Sequence, residues 1–347
     1  MATGDLVLKV ATADQLYEAD VHTYSSWGAP HLSLEQYLKR EARLRDTTFA
    51  KETLTGYVLV PAADPDTRDI LAYVEVFRRP SVIYPSSASP KVYIDGFSIG
   101  SVYTPVAHRK KGYATTMLAL VVERLRAAST GYVLSNLYSD IGPTYYATKG
   151  WRVHRSDEAT IPVAAILPPA ASPASAVLYS IDSHSALLHA AQGSQRLLDA
   201  SLAPGQCAFV VTASCIEWFA ARSHFYAKTL KQMASLPTSL GGYKVGANSK
   251  VTDAVLWTHN FRDDQLVVLH WNVQAENASA FLSLAAKEAT AWQLKEIAIW
   301  NADLPTELRH LNNTAREDSL SSLLVQTLPD ATEATLEWVS NEKYAWV

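Results

Sequence analysis

The stretch from Val102 to Met117 reads V-Y-T-P-V-A-H-R-K-K-G-Y-A-T-T-M, and its residue types and order suit a pyrophosphate site. β-Branched and aromatic residues from Ile99 to Thr104 favour an extended strand that Pro105 ends, and Thr115 to Leu125 carries apolar residues at helical spacing. The first turn of a helix presents N–H groups without intrahelical partners and the positive end of the helix dipole, so the main chain there can bind phosphate oxygens. Gly112 and Ala114 leave room for a ligand, and Arg109, Lys110 and Lys111 add positive charge. A run of three cations also makes an ordinary solvated face; at a helix start beside glycine the phosphate role is preferred.

Arg109, Gly112 and Ala114 fit the R/Q-x-x-G-x-G/A signature of the GNAT superfamily of acetyl-coenzyme A-dependent N-acetyltransferases, which this segment resembles. A second strand, Tyr132 to Tyr138, follows the helix, and then Tyr145-Tyr146-Ala147-Thr148-Lys149-Gly150-Trp151, similar to the family's Y-x-x-x-G-F element with Trp151 where Phe is usual. The resemblance implies acetyl-coenzyme A as acyl donor. It further implies that strands splay at Ser101, Val102 and Tyr103, whose N–H groups bind the thioester carbonyl and pantetheine arm. The diphosphate then falls to the main chain of Arg109, Lys110, Lys111, Gly112, Tyr113, Ala114 and Thr115. Ser139 stands where many members carry an Asn.

An amine attacks a thioester only as the free base, and a lysine ammonium with a pKa near about 10.4 must first lose a proton. The family's usual Glu on the strand before the loop is missing, since that stretch reads Gly96-Phe97-Ser98. Two carboxylates are nearby. Glu75 lies in Tyr73-Val74-Glu75-Val76-Phe77, where strand alternation puts it on one face with Tyr73 and Phe77; it is a base, an anchor for a cationic amine, or a salt-bridge partner of Arg78 or Arg79. Asp95 heads the next strand, although Asp-Gly is also a turn signal. By the same resemblance Tyr146 protonates the leaving thiolate; its other role is packing.

The elements that must position these groups can be read around them. Leu6 to Ala11 alternates as an edge strand, Thr12 or Asp14 caps a helix toward Tyr24, and Ser33 with Gln36 forms a capping box for a second helix. Gly56 to Val60 and Ile70 to Phe77 read as strands around Asp64-Pro65-Asp66. In the second half, Gln206 to Thr212, Ala254 to Thr258, Leu266 to Trp271 and Ile297 to Trp300 read as strands, with helices from Cys215 and over Ala278 to Gln293. The fold class is α/β with mixed (α+β) sheets: a GNAT domain over 1–166, a Pro/Ala/Ser linker over 167–176, and a mixed α/β domain over 177–347 that is either a degenerate GNAT-like lobe or another topology and contributes to the substrate cleft.

A chain of 347 residues, 48% hydrophobic and 18% charged, suits two domains with their own cores. Nothing near Met1 reads as a signal peptide and no apolar run is long enough to cross a bilayer, so a cytoplasmic location is expected. Cys207 and Cys215 are expected to be buried, reduced thiols, with no metal site. Residues 1–176 hold 18 Lys+Arg against 17 Asp+Glu, and residues 177–347 hold 12 against 17. The acidic second half either draws in a cationic substrate or simply aids solubility, and neither half is basic enough for nucleic acid.

The organisation of the whole chain, with Leu137-Tyr138-Ser139-Asp140-Ile141-Gly142, resembles the fungal lysine N6-acetyltransferases of lysine catabolism, which implies free L-lysine as acceptor. Arg78 is then a candidate for the substrate carboxylate, as is Arg79, and His224 in Ser223-His224-Phe225-Tyr226 is a candidate contact. The alternatives are another amine acceptor, such as a polyamine, an aminoglycoside-like amine or a protein lysine, and a protein that binds acetyl-coenzyme A without catalysis.

Overall fold

The structure, a computed structural model, describes residues 5–166, 177–301 and 313–347. The expected linker, 167–176, lies outside them. The first part of the chain runs β1 (Leu6–Val10), α1 (Ala13–Trp27), α2 (Leu34–Arg45), α3 (Thr48–Thr53), β2 (Leu54–Pro61), β3 (Ala72–Tyr84), β4 (Val92–Tyr103), α4 (Tyr113–Ala128), β5 (Tyr132–Ser139), α5 (Thr144–Ala147), β6 (Arg152–Val153) and β7 (Asp157–Pro162). The rest runs β8 (Tyr179–Ser180), α6 (His184–Ser201), β9 (Gln206–Phe209), α7 (Ala213–Leu230), β10 (Gly241–Val245), β11 (Val251–Asn260), β12 (Gln265–Asn272), α8 (Ala278–Ala291), β13 (Glu296–Trp300), β14 (Asn313–Ala315), β15 (Leu320–Thr327), β16 (Thr332–Glu333) and β17 (Glu337–Trp338), before a 3₁₀ turn over Lys343–Ala345.

Local chemistry explains the helix starts. Thr12 caps α1 in a full capping box with Gln15, and Ser33 caps α2 with Gln36, so two orphan N–H groups are satisfied at each end. α4 differs. Its N-cap is Gly112 at φ +84°, with no side chain bonding the first turn. A Cβ at Gly112 would meet nothing within 4 Å, so glycine is needed there for the left-handed backbone and not for space.

Two mixed sheets form. The first is ordered β1-β2-β3-β4-β5-β15-β16, with β6 on β15, β9 on the far half of β3, and β17 on β9. The second is ordered β14-β7-β13-β12-β11-β10-β8. Strands therefore change partners across the expected boundary: β9, β15, β16 and β17 join the first sheet, and β7 joins the second through β13 and β14. The sheets do not divide the chain at 167–176. Strand pairing is set by which edges carry unmet N–H and C=O groups, not by sequence proximity. Gln206–Phe209, expected in the second domain's sheet, instead covers the edge of β3 beyond the end of β2.

The apolar face of α4, with Met117, Leu118, Val121 and Leu125, packs on Val74, Val76, Phe97, Ile99, Val133, Leu137 and Trp151. Phe281, Leu282, Ala285 and Ala289 of α8 lie in one core with Trp257, Leu266, Val268, Ile297 and Ile299. A third core joins the halves, with Leu44, Phe49 and Phe77 beside Trp218, Phe219 and Tyr344. Among the described residues no helix is long and apolar enough to cross a membrane.

Trp151, in the position where the resembled element has Phe, is fully buried, and its indole N–H donates to Ser135 Oγ at 3.1 Å. Trp151→Ala should cost about 3–5 kcal/mol of folding stability, as removal of a large core aromatic does. Trp151→Phe keeps most of the ring but leaves Ser135 without its donor, at a cost of about 1–3 kcal/mol. Urea unfolding of the two variants checks this order; an unchanged midpoint in Trp151→Ala would contradict it.

Candidate active site

β4 and β5 run parallel and pair only where Phe97, Ser98 and Ile99 meet Ser135, Asn136 and Leu137. Beyond Ile99 the strands part, which leaves Gly100–Tyr103 without a partner on that side. The pairing of β3 with β4 is irregular at the same level, between Tyr73 and Glu75, and Ser101 sits at φ +51°. A β-bulge of this kind re-aims side chains beside a ligand.

A cavity of about 1170 Å³ opens from this fork. Its floor is Ile99 to Thr104, and at one end lie Arg109, Lys110 and Gly112 to Thr115. The N–H of Thr116 makes the first turn's bond to Gly112 O at 3.0 Å, so the N–H groups ahead of it are free of intrahelical partners and belong to residues that line the cavity. The Arg109 guanidinium donates to Thr104 O at 3.1 Å and to Tyr103 Oη at 3.2 Å, which ties the loop to the end of β4. These residues fit the diphosphate of a nucleotide thioester. Lys111 is the exception in the predicted set: its ammonium donates to Ala107 O at 3.0 Å and it does not line the cavity.

Glu75 lines the same cavity and is 8% exposed. Oε1 accepts from Tyr73 Oη at 2.8 Å and Oε2 from Ser101 Oγ at 2.7 Å, and the Arg45 guanidinium lies 3.5 Å away. Arg45 is held in turn by Asp20 of α1 through two bonds of 2.5 and 2.6 Å. Burial, reinforced by the charge of Glu75, pushes the Tyr73 phenol well above its usual range, which keeps it a donor. A carboxylate offers about four lone-pair sites, so this network fixes Glu75 and leaves capacity toward the cavity.

Tyr146 also lines the cavity, edge-on to Tyr145 at 5.0 Å between ring centroids. Burial, then Tyr145 and Asp140, raise its phenol above the ordinary value, so its proton is in place. The Lys149 ammonium sits over the ring of Tyr145, which lines the cavity beside Tyr146, at 3.8 Å.

Four predicted residues fall elsewhere. Asp95 and Arg78 are more than half exposed and pair with each other at 3.4 Å outside the cavity, because side chains alternate along β4 and β3 and theirs point away from the fork. Arg79 is fully buried against Tyr344 O at 3.3 Å. His224 is on α7, but Ser223 and Tyr226 face the cavity; its Nε2–H donates to Pro237 O at 2.8 Å. Ser139 Oγ donates to Gly142 O at 2.7 Å and shapes the turn before α5. Cys207 and Cys215 are free and buried, and burial raises both thiols. Among the described residues no His/Cys/Asp/Glu group is placed to hold a metal ion.

The second half was expected to contribute to the cleft, but beyond His224 the sequence did not say through which residues. Arg222, Tyr226, His259, Arg262, Lys343 and Trp346 all line the cavity. Among its described residues, the half with net acidic composition thus turns three cations, Arg222, Arg262 and Lys343, and one side-chain carboxylate, Asp318, toward the cavity. Helical spacing of Arg222, Ser223 and Tyr226 places them on one face of α7, but only packing says which face looks inward.

Asp95→Ala should leave stability and any activity within about twofold, since exposed ion pairs contribute little. His224 has the opposite character. Burial holds its imidazole below the ordinary value of 6.5, so the unfolded chain takes up that proton first and stability is lost as pH falls below about 6.5. His224→Gln should therefore weaken the acid-side fall in unfolding free energy, measured by urea titration at pH values on either side; an identical pH dependence in both proteins would refute this.

Comparison with known proteins agrees with this geometry. Residues 190–347 match the family described as the LYC1 GNAT-like C-terminal domain. A lysine acetyltransferase of Yarrowia lipolytica is 28% identical over 161 residues, which are 41% of this chain and 39% of that protein. Among solved structures, a GCN5-related N-acetyltransferase from Kribbella flavida superposes with a TM-score of 0.59 at 14% identity, over 93% of this chain and 72% of that one. Saccharomyces cerevisiae N-myristoyltransferase with bound myristoyl-CoA gives 0.53 at 10% identity, over 100% of this chain and 86% of that one. At such identities the likeness speaks for the fold. With the forked sheet and the uncapped helix after it, the fold is like that of the solved GCN5-related N-acetyltransferase, and residues 190–347, somewhat less than half of the chain, match the LYC1 GNAT-like C-terminal domain.

Proposed function

We propose that this chain is an acetyl-coenzyme A-dependent N-acetyltransferase that acetylates the N6 amine of free L-lysine, as a cytoplasmic step in lysine degradation. The observation that carries the reading is one cavity holding three things together: an open helix N-terminus at one end, a fixed buried carboxylate, and a half-buried tyrosine whose phenol is raised above its ordinary value. The lysine acceptor is supported by the name of the Yarrowia lipolytica relative and by the chemistry below.

In this reading the N–H groups from Tyr113 to Thr115, with Arg109 and Lys110, hold the donor's diphosphate, and the unpaired edge of β4 receives its pantetheine arm as a strand would. Glu75 attracts the substrate ammonium and takes up one proton, directly or through a water molecule. The free amine then attacks the thioester carbonyl, forming a C–N bond, and β4 N–H groups hold the oxyanion. Collapse breaks the C–S bond; Tyr146 gives its proton to the departing thiolate and regains one from the nitrogen. The products are an amide and coenzyme A thiol.

Thiol release from acetyl-coenzyme A, with a panel of free amines and products identified by mass, tests the reaction and the acceptor. Turnover should require L-lysine and yield N6-acetyl-lysine. Glu75→Gln and Tyr146→Phe should each lower kcat by roughly 10²–10⁴-fold, the range for a lost acid or base, while acetyl-coenzyme A binding persists. Turnover on a different amine would discard lysine and keep the mechanism. Full activity in both variants would discard the mechanism.

A further inference from the structure

The second half lines the cavity with two cations, Arg222 and Lys343, that no carboxylate of the described residues reaches at ion-pair distance, although Glu41, Asp140 and Asp318 line the same cavity. The Arg222 guanidinium, on α7, stacks over the Trp346 ring at 4.8 Å, and the Lys343 ammonium, in the last 3₁₀ turn, lies over the same ring at 4.4 Å and over Trp300 at 3.7 Å. All but Trp300 line the cavity. Neither cation makes an ion pair among the described residues. Two other cations that line the cavity do: Arg40 of α2 pairs with Glu41, and Arg262 with Asp263 at 3.0 Å. Burial, and then Arg40 in one case and Arg222 in the other, works against both charges and outweighs the support that Tyr226 and Glu41 give Arg222 and that Glu158 and Asp140 give Lys343.

Two like charges held close together in a half-buried cavity are costly unless something offsets them. Cation–π contact with Trp346 offsets part and fixes both side chains, but it supplies no counter-charge. The geometry points to an anion subsite: Arg222 and Lys343 receive a carboxylate on the acceptor molecule, so the acceptor is an amino acid or another amine that carries a carboxylate, and not a bare polyamine. This rests on the acetyl-transfer reading of the same cavity and narrows it. A polyamine would bring positive charge against two unpaired cations, whereas a carboxylate matches the guanidinium fork and adds a charge-assisted bond from the ammonium. The site assigned here replaces Arg78 and Arg79, which lie outside the cavity.

Two comparisons test it. In turnover, L-lysine is set against cadaverine, which is lysine without its carboxylate. The intact protein should favour lysine by roughly 10–100-fold in kcat/KM, and Arg222→Met or Lys343→Gln should raise KM for lysine about tenfold or more while leaving cadaverine unchanged or improved. Equal use of both amines by the intact protein, or equal loss on both amines in the variants, would overturn the subsite. The second comparison needs no turnover: calorimetric binding of ε-aminocaproate against hexylamine, which has a methyl group in place of the carboxylate. A preference for ε-aminocaproate that disappears in either variant supports the subsite even if no amine is acetylated, an outcome that would count against the acetyl-transfer reading alone. Equal binding of the two by the folded intact protein would overturn it.

Discussion

The parting of β4 from β5 after Ile99 and Leu137 is the constraint on which the site depends. A sheet normally satisfies its own N–H and C=O groups, and a strand that leaves its partner in mid-sheet exposes several of them to whatever fills the gap. Here the base of the gap is tied by side chains. Ser98 Oγ donates to Asn136 Oδ1 at 2.7 Å across the base of the fork, and Asn136 Nδ2 donates to Ala345 O at 3.1 Å. The final turn of the described chain is thus tied at the point of the fork, and Val347 lies against Gly100. The residues that tie the strands at the base of the fork also hold the last turn, from which Lys343 and Trp346 line the cavity.

That anchoring explains why the two sheets are interleaved. For Lys343–Ala345 to reach the fork, the chain must return to the first sheet after building the second, and it does so through β15, which pairs along all of β5. Arg79, buried without a carboxylate, bonds Tyr344 O, and Tyr344 Oη donates to Phe209 O at 2.6 Å. Phe209 belongs to β9, the other strand lent to the first sheet. Each half is therefore part of the other's core, and neither supplies a complete cavity wall alone.

Charge shows the same division between composition and placement. The first half offers the carboxylate, Glu75, braced from α1 and α2 through Asp20 and Arg45. The second half, acidic in sum, offers from its described residues Arg222, Arg262 and Lys343 to the cavity beside the single side-chain carboxylate of Asp318, while others of its carboxylates are held in pairs, such as Glu288 with His259, Asp264 with Lys231 and Lys295, and Glu342 with His270. Net charge describes a surface; a pocket a few side chains wide is decided by which groups are left unpaired.

The sequence by itself determined the strand, the glycine turn and the helix from Ile99 to Leu125, the caps of α1 and α2, and the candidacy of Glu75 and Tyr146. Each of these is written in short-range chemistry: β-branching, a proline stop, a residue that tolerates φ +84°, a capping side chain three residues from its partner. Alternation within a strand was equally legible, but the face that turns inward was not, so Asp95 and Arg78 were chosen together with Glu75 and only Glu75 reached the cavity. Only the tertiary structure decided that β9 and β15 complete the first sheet, that His224 turns away while Arg222 turns in, and that the last turn closes the fork. Those outcomes depend on contacts between residues more than a hundred positions apart, such as Asn136 with Ala345 and Arg79 with Tyr344, and no local propensity encodes a partner at that distance.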